Sequence, residues 1–77
     1  MTDKEMNEVF GNYLRNLRLK KGYTMQYVAD RMGFKNRSSI ANYEMGRATM
    51  SISTMKQICD IYGYDFRDVL KDIMDLL

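Results

Sequence analysis

The side chains of this chain that can do chemistry are hydrogen-bonding and cationic rather than catalytic. There is no histidine, which removes the commonest general base and the commonest metal ligand. Cys59 is the only thiol, and it falls on the apolar stripe of a helical segment, where a buried thiol is inert. The acidic residues are spread over outward helix faces and caps, and no glycine-rich phosphate loop is present. An enzyme is therefore the poorest reading, and no metal or cofactor is expected. What remains is a run from Lys35 through Asn36, Arg37, Ser38, Ser39 and Asn42 to Arg47. It offers an ammonium, two guanidiniums, hydroxyls and carboxamides close together. Such groups bind polar edges and anionic oxygens.

Charge is distributed in the same sense. The net charge is only +2. Residues 15–47, however, hold eight cations against two acids, a net of +6, while 1–14 and 48–77 each come to −2. A basic segment between acidic ends is what a polyanion-binding face needs, and it equally describes a solvated surface that is merely cationic.

The apolar spacing along the chain is helical throughout. The pattern predicts helices over about Asn7–Lys21, Met25–Met32 behind Thr24, and Arg37–Met45 behind Asn36. Two more follow, over Ile52–Tyr62 behind Ser51 and Phe66–Leu76 behind Asp65. Gly22, Gly33, Gly46 and Gly63 fall where the periodicity stops. Gly11 sits inside a periodic segment, where it reads as a penalty of roughly 1 kcal/mol against alanine. Val28, Ala29 and Met32 form the inward stripe of the second segment. Ile40, Tyr43 and Glu44 form that of the third, leaving Ser38, Ser39 and Asn42 outward. On the fourth, Ile52, Met55, Ile58, Cys59 and Tyr62 make the apolar face. No strand-like alternation, repeat or linker interrupts the pattern. The expected fold is all-α: five compact helices in a single domain over residues 1–77.

A short helix, a turn built on Gly33 and a second short helix with a polar outer face form a helix-turn-helix unit, over about 24–45. Small Ala29 lets the two helices approach closely. The outer face of the second is then free to enter a major groove.

At this point the stretch Leu14 to Val69 resembles the phage lambda repressor and Cro-like helix-turn-helix family, the xenobiotic response element type of transcriptional regulator. The resemblance lies in LRNLRLKKGYT, VADRMG, SSIANYEMGR, SISTMKQIC and IYGYDFRDV. Leu17, Arg18, Gly22, Ala29, Ile40, Glu44-Met45-Gly46 and Tyr62-Gly63 take the family's characteristic places. Three departures stand out. Met25 occupies the place of a phosphate-touching glutamine, so Gln26 or Tyr27 is expected to take over that contact. The turn holding Phe34, Lys35 and Asn36 is one residue longer than the common form. Met50 replaces a proline.

The resemblance implies base contacts by Arg37, Ser38, Ser39 and Asn42. Arg37 suits guanine O6 and N7, and Asn42 suits adenine N6 and N7. Thr24, Gln26, Lys35, Asn36 and Arg47 flank the reading helix and suit phosphates. The resemblance further implies that Arg18 and Glu44 pair with each other as a structural tie. It also implies dimerisation through about 66–77, with Leu70, Ile73, Met74 and Leu77 at the interface, to match two operator half-sites.

The expected partner is double-stranded DNA, bound as a homodimer by a sequence-specific transcriptional regulator acting as a repressor. The alternative is a protein-interaction module of the same fold, an antitoxin or adaptor using the C-terminal helix. No small-molecule ligand is evident. No apolar run approaches the roughly 18 residues of a membrane span, and the acidic start is wrong for a signal peptide. A lone cysteine fits a reducing cytoplasm.

Overall fold

The computed structural model describes residues 1–77. Five helices follow in order: α1 (Asp3–Lys20), α2 (Met25–Met32), α3 (Ser38–Glu44), α4 (Ile52–Tyr62) and α5 (Phe66–Leu76). Helix α1 starts four residues before the apolar periodicity does. Thr2 and Glu5 form a reciprocal capping box, with Asp3 and Glu5 in the first turn. Acids there complement the helix dipole and carry the helix into a polar stretch. Thr24, Ser51 and Asp65 cap α2, α4 and α5 as their types predict, each accepting from an amide two or three residues on.

Helix α2 ends at Gly33, whose φ of 76° lies in the left-handed region. The Phe34 amide then reaches back to the Ala29 carbonyl at 2.9 Å, which satisfies an orphan carbonyl and reverses the chain. Phe34 turns inward and packs near Tyr43, their ring centroids 6.4 Å apart. The longer turn is therefore anchored by an aromatic side chain. It delays α3 by one residue relative to expectation, so Arg37 becomes its N-cap residue.

One core serves all five helices. Leu14 and Leu17 of α1, Val28 and Ala29 of α2, Ile40 of α3, Met55, Ile58, Cys59 and Tyr62 of α4, and Val69 and Ile73 of α5 form a single buried cluster. Two expectations need correction. Ile52 stands 73% exposed, because it occupies the first position of α4, beyond the edge of the core. Ile73 is fully buried, so it belongs to the protomer core and has no surface to offer a dimer contact. No helix is long and apolar enough to cross a membrane.

Candidate nucleic-acid interface

Helix α3 has seven residues, too few to be stable alone, so its placement depends on what grips it. Only Ile40 and Glu44 are buried along it. Glu44 receives two parallel hydrogen bonds from Arg18, Nε to Oε2 at 2.7 Å and Nη2 to Oε1 at 2.9 Å. The third arm of the guanidinium donates to the Tyr23 carbonyl at 2.8 Å. Both side chains are almost wholly buried. The pair implied by the resemblance is thus present and bidentate. The carboxylate holds the Arg18 guanidinium protonated more firmly than usual, against the opposing effect of burial.

Gly11 supplies the second grip. A β-carbon there would collide with the carbonyl oxygens of Tyr43 and Glu44. This glycine is therefore a point of close backbone approach between α1 and the end of α3, a role that periodicity alone could not show. The third grip is the Phe34–Tyr43 contact on the α2 side.

With the inner face so held, the outer face is open. Arg37 and Ser38 are exposed, while Ser39 and Asn42 are half-buried along the same helix. Lys35, Asn36 and Arg47 are exposed at its two ends. Asn36 Oδ1 accepts from the Ser38 amide at 2.9 Å, but Asn36 lies one residue outside the N-cap, which is Arg37 and makes no side-chain cap bond. The expected Asn36 cap is thus displaced by the later start of α3, and its carboxamide donors stay free. Thr24 accepts from the Tyr27 amide at 3.0 Å, so its hydroxyl hydrogen remains available.

Gln26 is exposed, but its carboxamide donates to Asp30 at 2.8 Å. It must leave that partner to reach anything else. Met25 is half-buried against the core and faces away from that duty. Tyr27 lies on the exposed side, its ring 4.7 Å from Tyr23 and 5.9 Å from the Arg31 guanidinium.

The cations on this side are left unpaired. The ion pairs of the structure are Arg18–Glu44, Lys56–Asp60 and Arg67–Asp65. Lys35, Arg37 and Arg47 belong to none of them. Helices α2, α3 and α4 have no acid in their first turns, whereas α1 and α5 do. The positive ends of α2 and α3, like that of α4, are uncompensated by acids of their own first turns, which suits an anion.

Elsewhere the reactive groups are quiet. Burial pushes the Cys59 thiol up to about 11, which keeps it protonated and unreactive. Sequence reasoning missed Asn7, whose Nδ2 donates to Thr49 Oγ1 at 3.0 Å across 42 positions. No local signal marks it, because the contact is tertiary.

Toward the end of α5, Met74 is 70% and Leu77 49% exposed, with Leu76 62% exposed. Leu70 is half-buried against the core. Leu76 also edges a shallow groove with Val9, Asn12, Tyr13 and Asn16.

Residues 14–69 match a protein-family model described as helix-turn-helix. The chain is 33% identical over 63 residues to the SPbeta prophage-derived uncharacterized HTH-type transcriptional regulator YonR of Bacillus subtilis (strain 168), a match covering 82% of this chain and 57% of that protein. The chain thus spans little more than half the length of that relative. Two crystal structures of the clp gene regulator ClgR from Corynebacterium glutamicum have the same fold. One superimposes with a TM-score of 0.82 at 26% identity, over 91% of this chain and 73% of the other. The second gives 0.83 at 25% identity, over 94% and 92%.

Proposed function

The chain belongs to the helix-turn-helix family, and on that premise we propose that it binds double-stranded DNA as a sequence-specific transcriptional regulator, a repressor that occupies its operator as a homodimer. The observation that carries this reading is the open face of α3, with Arg37 and Ser38 exposed between the unpaired cations Lys35 and Arg47. Arg37, Ser38, Ser39 and Asn42 read base edges in the major groove. Thr24, Asn36, Lys35, Arg47 and, once released from Asp30, Gln26 hold phosphates and set the register. Met74 and Leu77 form the dimer contact, joined by Leu76 and edged by half-buried Leu70. The chain extends 32 × 24 × 21 Å, so two copies side by side suit half-sites about 34 Å apart. Residues 1–77 act as one unit, located with the DNA in the cytoplasm.

Selection of bound sequences from random duplexes tests this directly. An enriched inverted repeat is the expected result, and no enrichment over input would sink the reading.

The exposed apolar end of α5 also suits a protein partner, as in an antitoxin or adaptor. Salt separates the two readings. DNA affinity falls steeply as salt rises, because bound phosphates release counterions. An apolar contact does not weaken in this way.

A further inference from the structure

The first half of α1 precedes the residues matched by the family model, which begin at 14. It nevertheless lies against the connection that carries Arg47. We propose that this half-helix clamps the α3–α4 connection, and that Asn7 is a positioning residue for the contact of Arg47 with a DNA phosphate. The proposal rests on the DNA-binding reading.

Three contacts in antiparallel register support it. Asn7 Nδ2 donates to Thr49 Oγ1 at 3.0 Å. Gly46 is buried with a φ of 73°, and a β-carbon there would lie 2.6 Å from Glu8 Cγ and 2.8 Å from both the N and Cα of Glu8. Gly11 meets the Tyr43 and Glu44 carbonyls. Positions 7, 8 and 11 along α1 thus oppose 49, 46 and 43–44.

Arg47 lies inside this clamped stretch. Its amide donates to the Asn42 carbonyl at 2.9 Å, while its side chain is exposed and unpaired. Residues 47–50 have no helix of their own to fix them. The Asn7 bond is the one hydrogen bond that joins them to α1. A phosphate contact made from a loop gains affinity when the loop is ordered before binding. Because α1 also grips α3 at Gly11 and Arg18, a single rod holds both the base-reading helix and the phosphate contact, which fixes one relative to the other.

The test compares Asn7→Ala, Thr49→Val, Arg47→Ala and Asn7→Ala/Arg47→Ala with the unmodified chain, measuring affinity for the selected duplex by fluorescence anisotropy over a salt series. Asn7→Ala and Thr49→Val are each expected to weaken binding about threefold to tenfold, since an exposed neutral hydrogen bond and some loop order are lost. Sequence preference should not change. The salt slope should fall by up to about 0.9, the value of one phosphate contact. In the Arg47→Ala background, Asn7→Ala should weaken binding no further. In the free protein, the Arg47 amide should exchange faster with solvent deuterium in Asn7→Ala, while the unfolding midpoint stays near that of the unmodified chain.

Unchanged affinity in Asn7→Ala overturns the proposal, as does a loss that adds in full to that of Arg47→Ala. If the unmodified chain selects no DNA at all, the DNA reading fails instead. Amide exchange then decides the clamp alone, and slow exchange at Arg47 in Asn7→Ala overturns it.

Discussion

Glu44 and Arg37 illustrate two fates of charge, one spent inside the fold and one left outside it. Glu44 neutralises Arg18 where water scarcely reaches either group. Replacing Glu44 with alanine strands a buried guanidinium, which costs about 3–5 kcal/mol. Urea unfolding should register that loss, and the double change Arg18→Met/Glu44→Leu should recover part of it by removing both charges together. A Glu44→Ala chain as stable as the original would mean the pair contributes nothing. Arg37 is the opposite case: it is exposed and unpaired, so the free protein has no use for its charge. Arg37→Ala is expected to weaken binding to the selected operator by about 1–3 kcal/mol while affecting random duplexes less. An equal loss on both would reassign Arg37 to a phosphate.

At the scale of elements, the polar link between α1 and α5 is a single hydrogen bond, Tyr13 Oη donating to Asp72 Oδ2 at 2.7 Å. That bond, with a smaller part from burial, raises the Tyr13 phenol from its ordinary 10.0 to about 12. The neutral phenol is the form that the fold favours. The stabilisation is therefore complete below the unfolded value and is lost as pH rises through the folded one, a window between about 10 and 12. Tyr13→Phe should show less alkaline loss of stability in that window than the unmodified chain, by thermal unfolding at matched pH. Identical profiles would show that the bond has no net effect.

The sequence announced these helices unevenly, for physical reasons. Caps at Thr24, Ser51 and Asp65 and apolar spacing were visible because both act within one turn. The start of α1 was hidden because its first turn buries almost nothing and is held by a capping box, not by a stripe. Ile52 looked like core because it keeps the α4 spacing, but its position at the helix tip puts it beyond the other elements. Gly11 reads as a weak point when it is a contact with another helix, whereas the Gln26–Asp30 bond is legible as an i,i+4 pair on α2. Spacing records which face turns inward. It does not record how close the neighbouring backbone comes, or which polar partner lies across a gap.

For the molecule as a whole, the proposed dimer poses the question of how a chain with a core this small would present two copies of α3 at once. Ile73 is consumed by that core and Leu70 is half-buried against it, so the proposed pairing surface narrows to Met74 and Leu77 with Leu76. These are exposed at the end of α5, beside the groove bounded by Val9, Tyr13 and Leu76. A charge at this end should separate pairing from folding, because neither Met74 nor Leu77 is buried in the protomer. Met74→Asp/Leu77→Asp is expected to sediment as a monomer at concentrations where the unmodified chain is a dimer, with its helix content intact. Binding to an inverted repeat should then fall by about a hundredfold or more, since the second half-site no longer binds as an intramolecular event. Binding to an isolated half-site should be unchanged. Ile73→Ala would not make this distinction, because a cavity in the core costs about 2–5 kcal/mol and weakens both kinds of binding together. A double variant that still sediments as a dimer would move the interface away from α5. A monomeric unmodified chain that nonetheless prefers inverted repeats would mean that the DNA itself brings the two copies together.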